Sequence, residues 1–201
     1  MTKRQKLYLP LKRLIGIVGS VVGIIFCFSL FWWWIFIINL FVTKGRPIYV
    51  QQRIGKNKKV FGLIKFRSMK IDAPEVNPGE LTPEMHRKMM TNFGYFLRIT
   101  SLDETLQLFN ILVGQMAFIG PRPGALNNEE FLIEAREIYK PNAFDVRPGL
   151  GGLAQLKMNR EHNPEDKARF DHEYVVKMSL WLDIKIFVLT VLKVFGALRG
   201  E

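Results

Sequence analysis

Two adjacent acids, Asp103 and Glu104, stand in the segment Ser101-Leu102-Asp103-Glu104, which has the S-x-x-E form of a helix capping box. On that reading both carboxylates fall in the first turn of a helix. Free backbone N–H groups and the helix dipole favour the ionised form there. The pattern admits two uses. In the first, Glu104 caps, Asp103 complements the dipole and neither reacts; from spacing alone this use is the commoner. In the second, an ionised carboxylate serves as a nucleophile or shares a divalent metal with a substrate phosphate.

The basic residues Lys65, Arg67, Arg98, Arg122 and Arg147 carry a similar choice between solvated surface charge and phosphate contact. Arg122 sits between Pro121 and Pro123, and a stiffened guanidinium fork suits bidentate phosphate contact. Arg147 is followed by Pro148 and by glycines that let backbone approach a ligand closely. His86, His162 and His172 are scattered without metal-ligand spacing and read as surface or structural. The chain has no G-x-G-x-x-G and no Walker A, so an ordinary dinucleotide or nucleoside-triphosphate fold lacks support. The one cysteine, Cys27, excludes an intrachain disulfide and reads as packed or lipid-facing.

The elements that must hold these residues follow from local pattern. Ile48–Gln52 and Val60–Phe66 read as short strands joined by a turn at Gly55–Lys59. If the second strand stays extended through Arg67, Lys65 and Arg67 share one face and Phe66 takes the other. Asp72–Leu81, with Pro74, Pro78 and Gly79, reads as a loop. Thr82-Pro83-Glu84 starts a helix, and a short helix is expected over Asn92–Arg98. Leu102, Leu106, Phe109 and Val113 recur at helical spacing, which predicts one buried face over 102–113. Phe118–Gly124 reads as a rigid turn and Arg147–Gly152 as a glycine-rich loop. Asn163-Pro164-Glu165 starts a further helix.

With 201 residues the chain suits one domain plus an anchor. Leu14 to Thr43 carries no formal charge. A straight helix over it would run about 45 Å, against a hydrocarbon core of ~30 Å. A tilted spanning helix satisfies this, and so does a bent helix that enters and leaves by one face. Lys3, Arg4, Lys6, Lys12 and Arg13 precede the run, and Lys44, Arg46, Arg53 and Lys56 follow it. The positive-inside rule wants both flanks on the cytoplasmic side, which favours the re-entrant form. Ser20, Ser29 and the glycines at 16, 19 and 23 are candidate bend sites, and Trp32, Trp33 and Trp34 suit an interface. The run is too long for a signal-peptide core.

All 18 acids lie from Asp72 onward, and the net charge is +11. A basic first third around an apolar run points to an anionic membrane surface. Nucleic acid is not expected, since zinc-ligand spacing and RNP-like aromatics are lacking. The segment Ser179–Leu198 is apolar but interrupted by Asp183, Lys185 and Lys193, too short between charges to span, and suits a membrane interface or packing on the domain.

In order along the chain, Lys12-Arg13, QQRIG at 51–55, FGLIKFRSMK at 61–70, FLRITSLDETLQLFNILVGQMAFIGPRP at 96–123, VRPGLGGLAQ at 146–155, DHEYV at 171–175 and LDIKIFVLT at 182–190 resemble the bacterial sugar transferases, the small monotopic phosphoglycosyl transferases. The resemblance implies an α+β, mostly helical fold. Its parts would be a re-entrant membrane helix (residues 1–46), a small cytosolic domain with a short β-hairpin (47–201) and amphipathic interfacial helices, including 179–198. It implies a membrane enzyme at the cytoplasmic face of the bacterial inner membrane. Such an enzyme moves a sugar-1-phosphate from a UDP-sugar to a polyprenol phosphate and releases UMP.

By position, the resemblance makes Asp103 the nucleophile and a ligand of Mg²⁺, and Glu104 its partner. It makes Lys65, Arg67, Arg98, Arg122 and Arg147 groups that neutralise phosphate, with Gln155 and Tyr174 as further substrate contacts. Membrane lipid and a second copy of the chain are candidate partners. Gly16, Leu30, Gln115 and Gly151 depart from the family pattern of Asp, Pro, Asp and Thr. The alternative function is a non-catalytic membrane scaffold or regulator of a glycan pathway. An ordinary glycosyl transferase, which would release UDP, is a further reading.

Overall fold

The computed structural model describes residues 1–73, 83–126, 130–158 and 163–199. The expected loop at 72–81 falls mostly outside them, as do Thr82 and His162. The chain opens with one continuous helical run, Lys3–Val42, long and apolar enough to cross a membrane. It consists of α1 (Lys3–Cys27), a π-helical turn at Phe28–Trp32 and α2 (Trp33–Val42). Thr2 caps its start in a reciprocal pair with Gln5. The candidate bend glycines at 16, 19 and 23 lie within the unbroken helix α1. Gly19 and Gly23 instead leave room for Phe118 and Leu108: a Cβ on Gly19 would lie 2.7 Å from the Phe118 ring, and one on Gly23 would lie 3.0 Å from Leu108. The irregularity falls at Ser29, inside the π turn, where the hydroxyl donates to the Ile25 carbonyl.

Strands β1 (Ile48–Ile54) and β2 (Val60–Phe66) form the expected antiparallel hairpin. Tyr49 pairs with Lys65, and the alternation holds: Phe66 is buried, while Lys65 and Arg67 both lie over the Tyr49 ring. Helices α3 (Pro83–Lys88) and α4 (Asn92–Ile99) follow, the latter capped by Thr91. Then come a 3₁₀ turn at Leu102–Glu104 and α5 (Gln107–Val113). The next elements are β3 (Ala117–Ile119), β4 (Gly124–Ala125), α6 (Glu130–Glu137), β5 (Gly149–Gly151) and α7 (Leu153–Lys157). The long helices α8 (Pro164–Lys177) and α9 (Leu180–Arg199) complete the chain. The protein is thus mostly helical, with a three-stranded sheet in the order β2-β1-β4 and a parallel pair β3-β5.

Two expectations are corrected here. Arg147–Gly152 is not a free loop, because Gly149–Gly151 is a strand beside β3. Its glycines are needed for backbone-to-backbone approach: a Cβ on Gly149 would stand 2.0 Å from the Gly120 nitrogen. The buried face of 102–113 also differs. Leu106, Leu108 and Ile111 are buried, but Phe109 is 39% and Val113 67% exposed. The 3₁₀ turn has about three residues per turn, so the phase counted from Leu102 does not carry into α5.

The main core joins the apolar helix to the rest. Cys27, Trp32 and Ile35 pack in one cluster with residues that include Phe66, Leu97, Leu108 and Ile111. Full burial of a side chain of this size is worth about 1.5–3 kcal/mol. A second cluster ties α8 and α9 to β3 through Ile119, Val175, Met178 and Ile186.

Candidate active site

The acidic pair is positioned by a left-handed residue. Ser101 has φ 56° and makes no side-chain cap, so the expected capping box does not form. Asp103 and Glu104 lie in the 3₁₀ turn, before α5 begins. The Glu104 carboxylate is taken by Arg122: Nη1 donates at 3.3 Å, and Nη2 makes a shorter ion pair. Burial alone would raise Glu104, but the Arg122 charge and hydrogen bonds outweigh it and hold the carboxyl below its ordinary range.

Asp103 is treated differently. It is only 4% exposed, and its Oδ1 is buried without a hydrogen-bond partner. Burial first, and the neighbouring Glu104 second, push its pKa up to about 6, against the pull of Arg98, Lys65 and Arg122. The acidic pair therefore has one neutralised member and one with spare acceptor capacity.

Lys65 comes from β2 and Arg98 from the last turn of α4. Burial, then Arg98 and Arg53, lower Lys65 to about 8. Gly94 makes this proximity possible, because a Cβ there would meet the Ser68 carbonyl oxygen at 1.9 Å. Asn110 fixes β2 on α5: its Oδ1 accepts from the Ile64 N–H at 3.1 Å, and its Nδ2 donates to the Gly62 carbonyl at 2.8 Å. Lys65, Arg98, Arg122, Asp103 and Glu104 thus form one electrostatic group.

The other expected site residues lie elsewhere or face other partners. Arg67 donates through Nε to the Arg46 carbonyl at 2.9 Å and stacks on Tyr49. Arg147 donates to the Gly114 carbonyl at 2.7 Å; burial and Arg13 lower its pKa. It shares a small cavity with Lys12, Arg13 and Gly16. Gln155 sits in α7 with a buried, unpartnered Oε1, which a Cβ on Gly152 would approach to 3.2 Å. Tyr174 is 1% exposed, and its hydroxyl joins Lys12, Asp183 and the Ile119 carbonyl. These bonds tie α8 to α1 and α9, and none of them reaches the acidic pair.

Sequence reasoning missed three groups. Arg53 donates to the Pro123 carbonyl at 3.0 Å, holding the turn that carries Arg122. Arg136 and Asp171 form a fully buried ion pair, and Arg136 also donates to the Arg122 carbonyl at 2.9 Å. Trp32, in the apolar helix, donates from Nε1 to Thr105 Oγ1 at 2.8 Å, directly after the acidic pair. Arg53 and Asp171 fall within matching motifs, but only their contacts disclose what they hold.

Mg²⁺ takes hard oxygen ligands and is commonly held by one or two carboxylates together with substrate phosphates. The described residues contain no group of three metal-ligating side chains. Asp103, with an unpartnered buried carboxylate oxygen, fits a site of the one-carboxylate kind.

A family model described as bacterial sugar transferase matches residues 7–197. The chain belongs to the bacterial sugar transferase family. Among members similar to it is the galactosyl transferase CpsE of Streptococcus agalactiae, 30% identical over 92% of this chain and 42% of the relative. A UDP-glucose:undecaprenyl-phosphate glucose-1-phosphate transferase of Klebsiella pneumoniae is 38% identical over 76% of this chain and 33% of its own length. An undecaprenyl-phosphate galactose phosphotransferase of Salmonella typhimurium is 32% identical over 94% and 41% respectively. The chain therefore spans about a third to two-fifths of the length of these curated relatives. Within the family match lie the acidic pair, all the cations placed around it and the Pro121-Arg122-Pro123 turn.

Proposed function

We propose that this protein transfers a sugar-1-phosphate from a UDP-sugar to a polyprenol phosphate and releases UMP. The observation that carries the reading is the asymmetry of the acidic pair: Glu104 is held by Arg122, while the buried Asp103 keeps an unpartnered oxygen. That oxygen attacks the β-phosphorus of the UDP-sugar. The bond from this phosphorus to the bridging oxygen breaks, and UMP leaves with that oxygen and its electron pair. The phosphosugar remains on Asp103. A polyprenol phosphate oxygen then attacks the same phosphorus, the carboxylate leaves, and a polyprenol diphosphate sugar results.

Attack of an anion on an anionic phosphorus needs screening, which Lys65, Arg98 and Arg122 supply from fixed positions. Arg122 also keeps Glu104 ionised, so Glu104 adds to the field that sets the basicity of Asp103. Mg²⁺, when bound through Asp103, would add Lewis-acid neutralisation of the diphosphate. The relatives' names, with UDP-glucose and undecaprenyl phosphate in them, support this substrate class.

The same proposal places the protein on the cytoplasmic face of the bacterial inner membrane, with Lys3–Val42 entering and leaving by one side. Both ends of that helix are tied to one body. Gln5 donates to the Val175 and Val176 carbonyls at 2.8 and 2.7 Å. Asn39 donates to the Pro47 and Arg67 carbonyls, each at 2.9 Å. A crossing would separate the two ends by the ~30 Å of the hydrocarbon core.

The test is nucleotide release. Purified protein with Mg²⁺, a polyprenol phosphate and a panel of UDP-sugars should release UMP from at least one, and Asp103→Asn should release none. UDP in place of UMP would refute the bond assignment. No release from any sugar would favour the non-catalytic scaffold.

A further inference from the structure

A cleft of about 740 Å³ opens where the apolar helix ends, between Val42–Lys44, Lys70–Asp72 and the segment Arg87–Asn92. Its charge is one-sided. Among the described lining residues, Lys44, Lys70, Arg87 and Lys88 stand against one carboxylate, Asp72. Among the described residues Lys44, Lys70 and Lys88 make no ion pair.

The walls are built rather than loose. The Lys70 N–H donates to the Met89 carbonyl at 2.9 Å, and Met69 bridges Met90. Arg87 donates to Asn92 Oδ1 at 2.9 Å and stacks 4.3 Å above the Tyr95 ring. Lys44 is held at φ 47° by the helix end, where the Gly45 N–H donates to the Leu40 carbonyl at 2.7 Å. Four cations on the walls of one cleft, with Asp72 the one acid among the described lining residues, form a surface that an anion can occupy.

Position identifies the anion. The cleft begins at Val42, the last residue of a helix whose outward side chains are apolar, and Phe41 beside it is 78% exposed. An anion seated here therefore lies at the level where an apolar surface gives way to a charged one, which is the level of lipid phosphates. Ile71, on the cleft wall, is also exposed. We propose that this cleft binds the phosphate of an anionic phospholipid headgroup, with the acyl chains running back along Phe41. The site is separate from the acidic pair and stands independently of the transfer reaction.

The full chain in a neutral detergent would be titrated with dihexanoyl phosphatidylglycerol, dihexanoyl phosphatidylcholine, inorganic phosphate and a polyprenol phosphate, with thermal unfolding as readout. K70Q/K88Q and K70R/K88R would run beside the parent; the exposed positions leave the fold intact. Phosphatidylglycerol should raise the Tm of the parent and the arginine variant. Its apparent affinity should fall about fivefold for each lysine removed in the glutamine variant. Phosphatidylcholine should give no such shift. Equal affinity in the glutamine variant, or an equal response to phosphatidylcholine, overturns the proposal. So does inorganic phosphate binding as tightly as phosphatidylglycerol, which would mark a simple anion site. Loss of the polyprenol phosphate response in the glutamine variant would assign the cleft to that lipid and overturn it as well.

Discussion

Arg122 closes on Glu104 with both terminal nitrogens and leaves the adjacent Asp103 with a buried oxygen that has no partner. Two neighbouring carboxylates thus acquire opposite tendencies: Glu104 is held ionised, while Asp103 is raised to about 6. This division of labour underlies the first two predictions.

Asp103→Asn should abolish UMP release while leaving the protein folded. The buried carboxylate is a net burden at neutral pH, because its folded pKa is raised above the ordinary 3.8. The folded state therefore holds more protons than the unfolded state between about pH 4 and 6, and stability falls as pH rises through that window. Asp103→Asn should remove the fall and stabilise at pH 7 by up to about 2–3 kcal/mol. Denaturant melts at pH 4 and pH 7 measure it; a variant less stable than the parent at pH 7 would contradict the assignment.

Activity should follow a bell in pH. The lower arm lies near 6, where Asp103 loses its proton and becomes nucleophilic, and the upper arm near 8, where Lys65 loses its charge. Lys65→Arg should move the upper arm out of range while retaining the lower one. A pH profile of kcat/KM for UMP release from pH 5 to 9.5 decides it, because it reports the groups of the free protein; an upper arm that stays put in the variant would exclude Lys65 as its source.

Gly94→Ala should be among the most damaging single-methyl additions in the chain. The new carbon would lie 1.9 Å from the Ser68 carbonyl oxygen, a backbone atom that no rotamer change can move. α4 must then lift from the end of β2 and take Arg98 with it. Overpacking of this kind costs about 1–3 kcal/mol or more, and a Tm drop with loss of UMP release together is the expected outcome. An unchanged Tm would show that α4 can shift freely.

Gly16→Asp should stabilise the protein more than Gly16→Ala. Gly16 borders the small cavity that Lys12, Arg13 and Arg147 share, and a Cβ there would meet only Ile111 Cγ2 at 3.6 Å. Alanine recovers helix propensity alone, about 0.5–1 kcal/mol; aspartate adds an opposite charge beside two guanidinium groups. Thermal melts of both variants at low and high salt test the point, and an aspartate variant below the alanine one would mean that its desolvation outweighs the pairing.

The hairpin, the starts of α3 and α8 and the extent of α4 were legible, because each is set by local signals: alternation in β2, Pro83 as a first-turn proline, Asn163-Pro164, and Thr91 before Asn92. The capping box at Ser101 was misread for a nonlocal reason. Glu104 spends its carboxylate on Arg122, 18 positions away, and Ser101 turns left-handed. The placement of Tyr174 was equally hidden, since Lys12 lies 162 positions from it and Asp183 on another helix. Motif order indicated which residues matter, but not which of them share a space.

The apolar helix has Cys27, Trp32 and Ile35 in the same core as Leu97, Leu108 and Ile111, and Trp32 bonded to Thr105. It is therefore part of the body that carries the acidic pair, and not only an apolar arm. A chain begun at Pro47 would not be the same body with an apolar arm removed. It would be an opened core with its acidic turn unsupported, so any preparation must preserve that packing before the proposed chemistry can be measured.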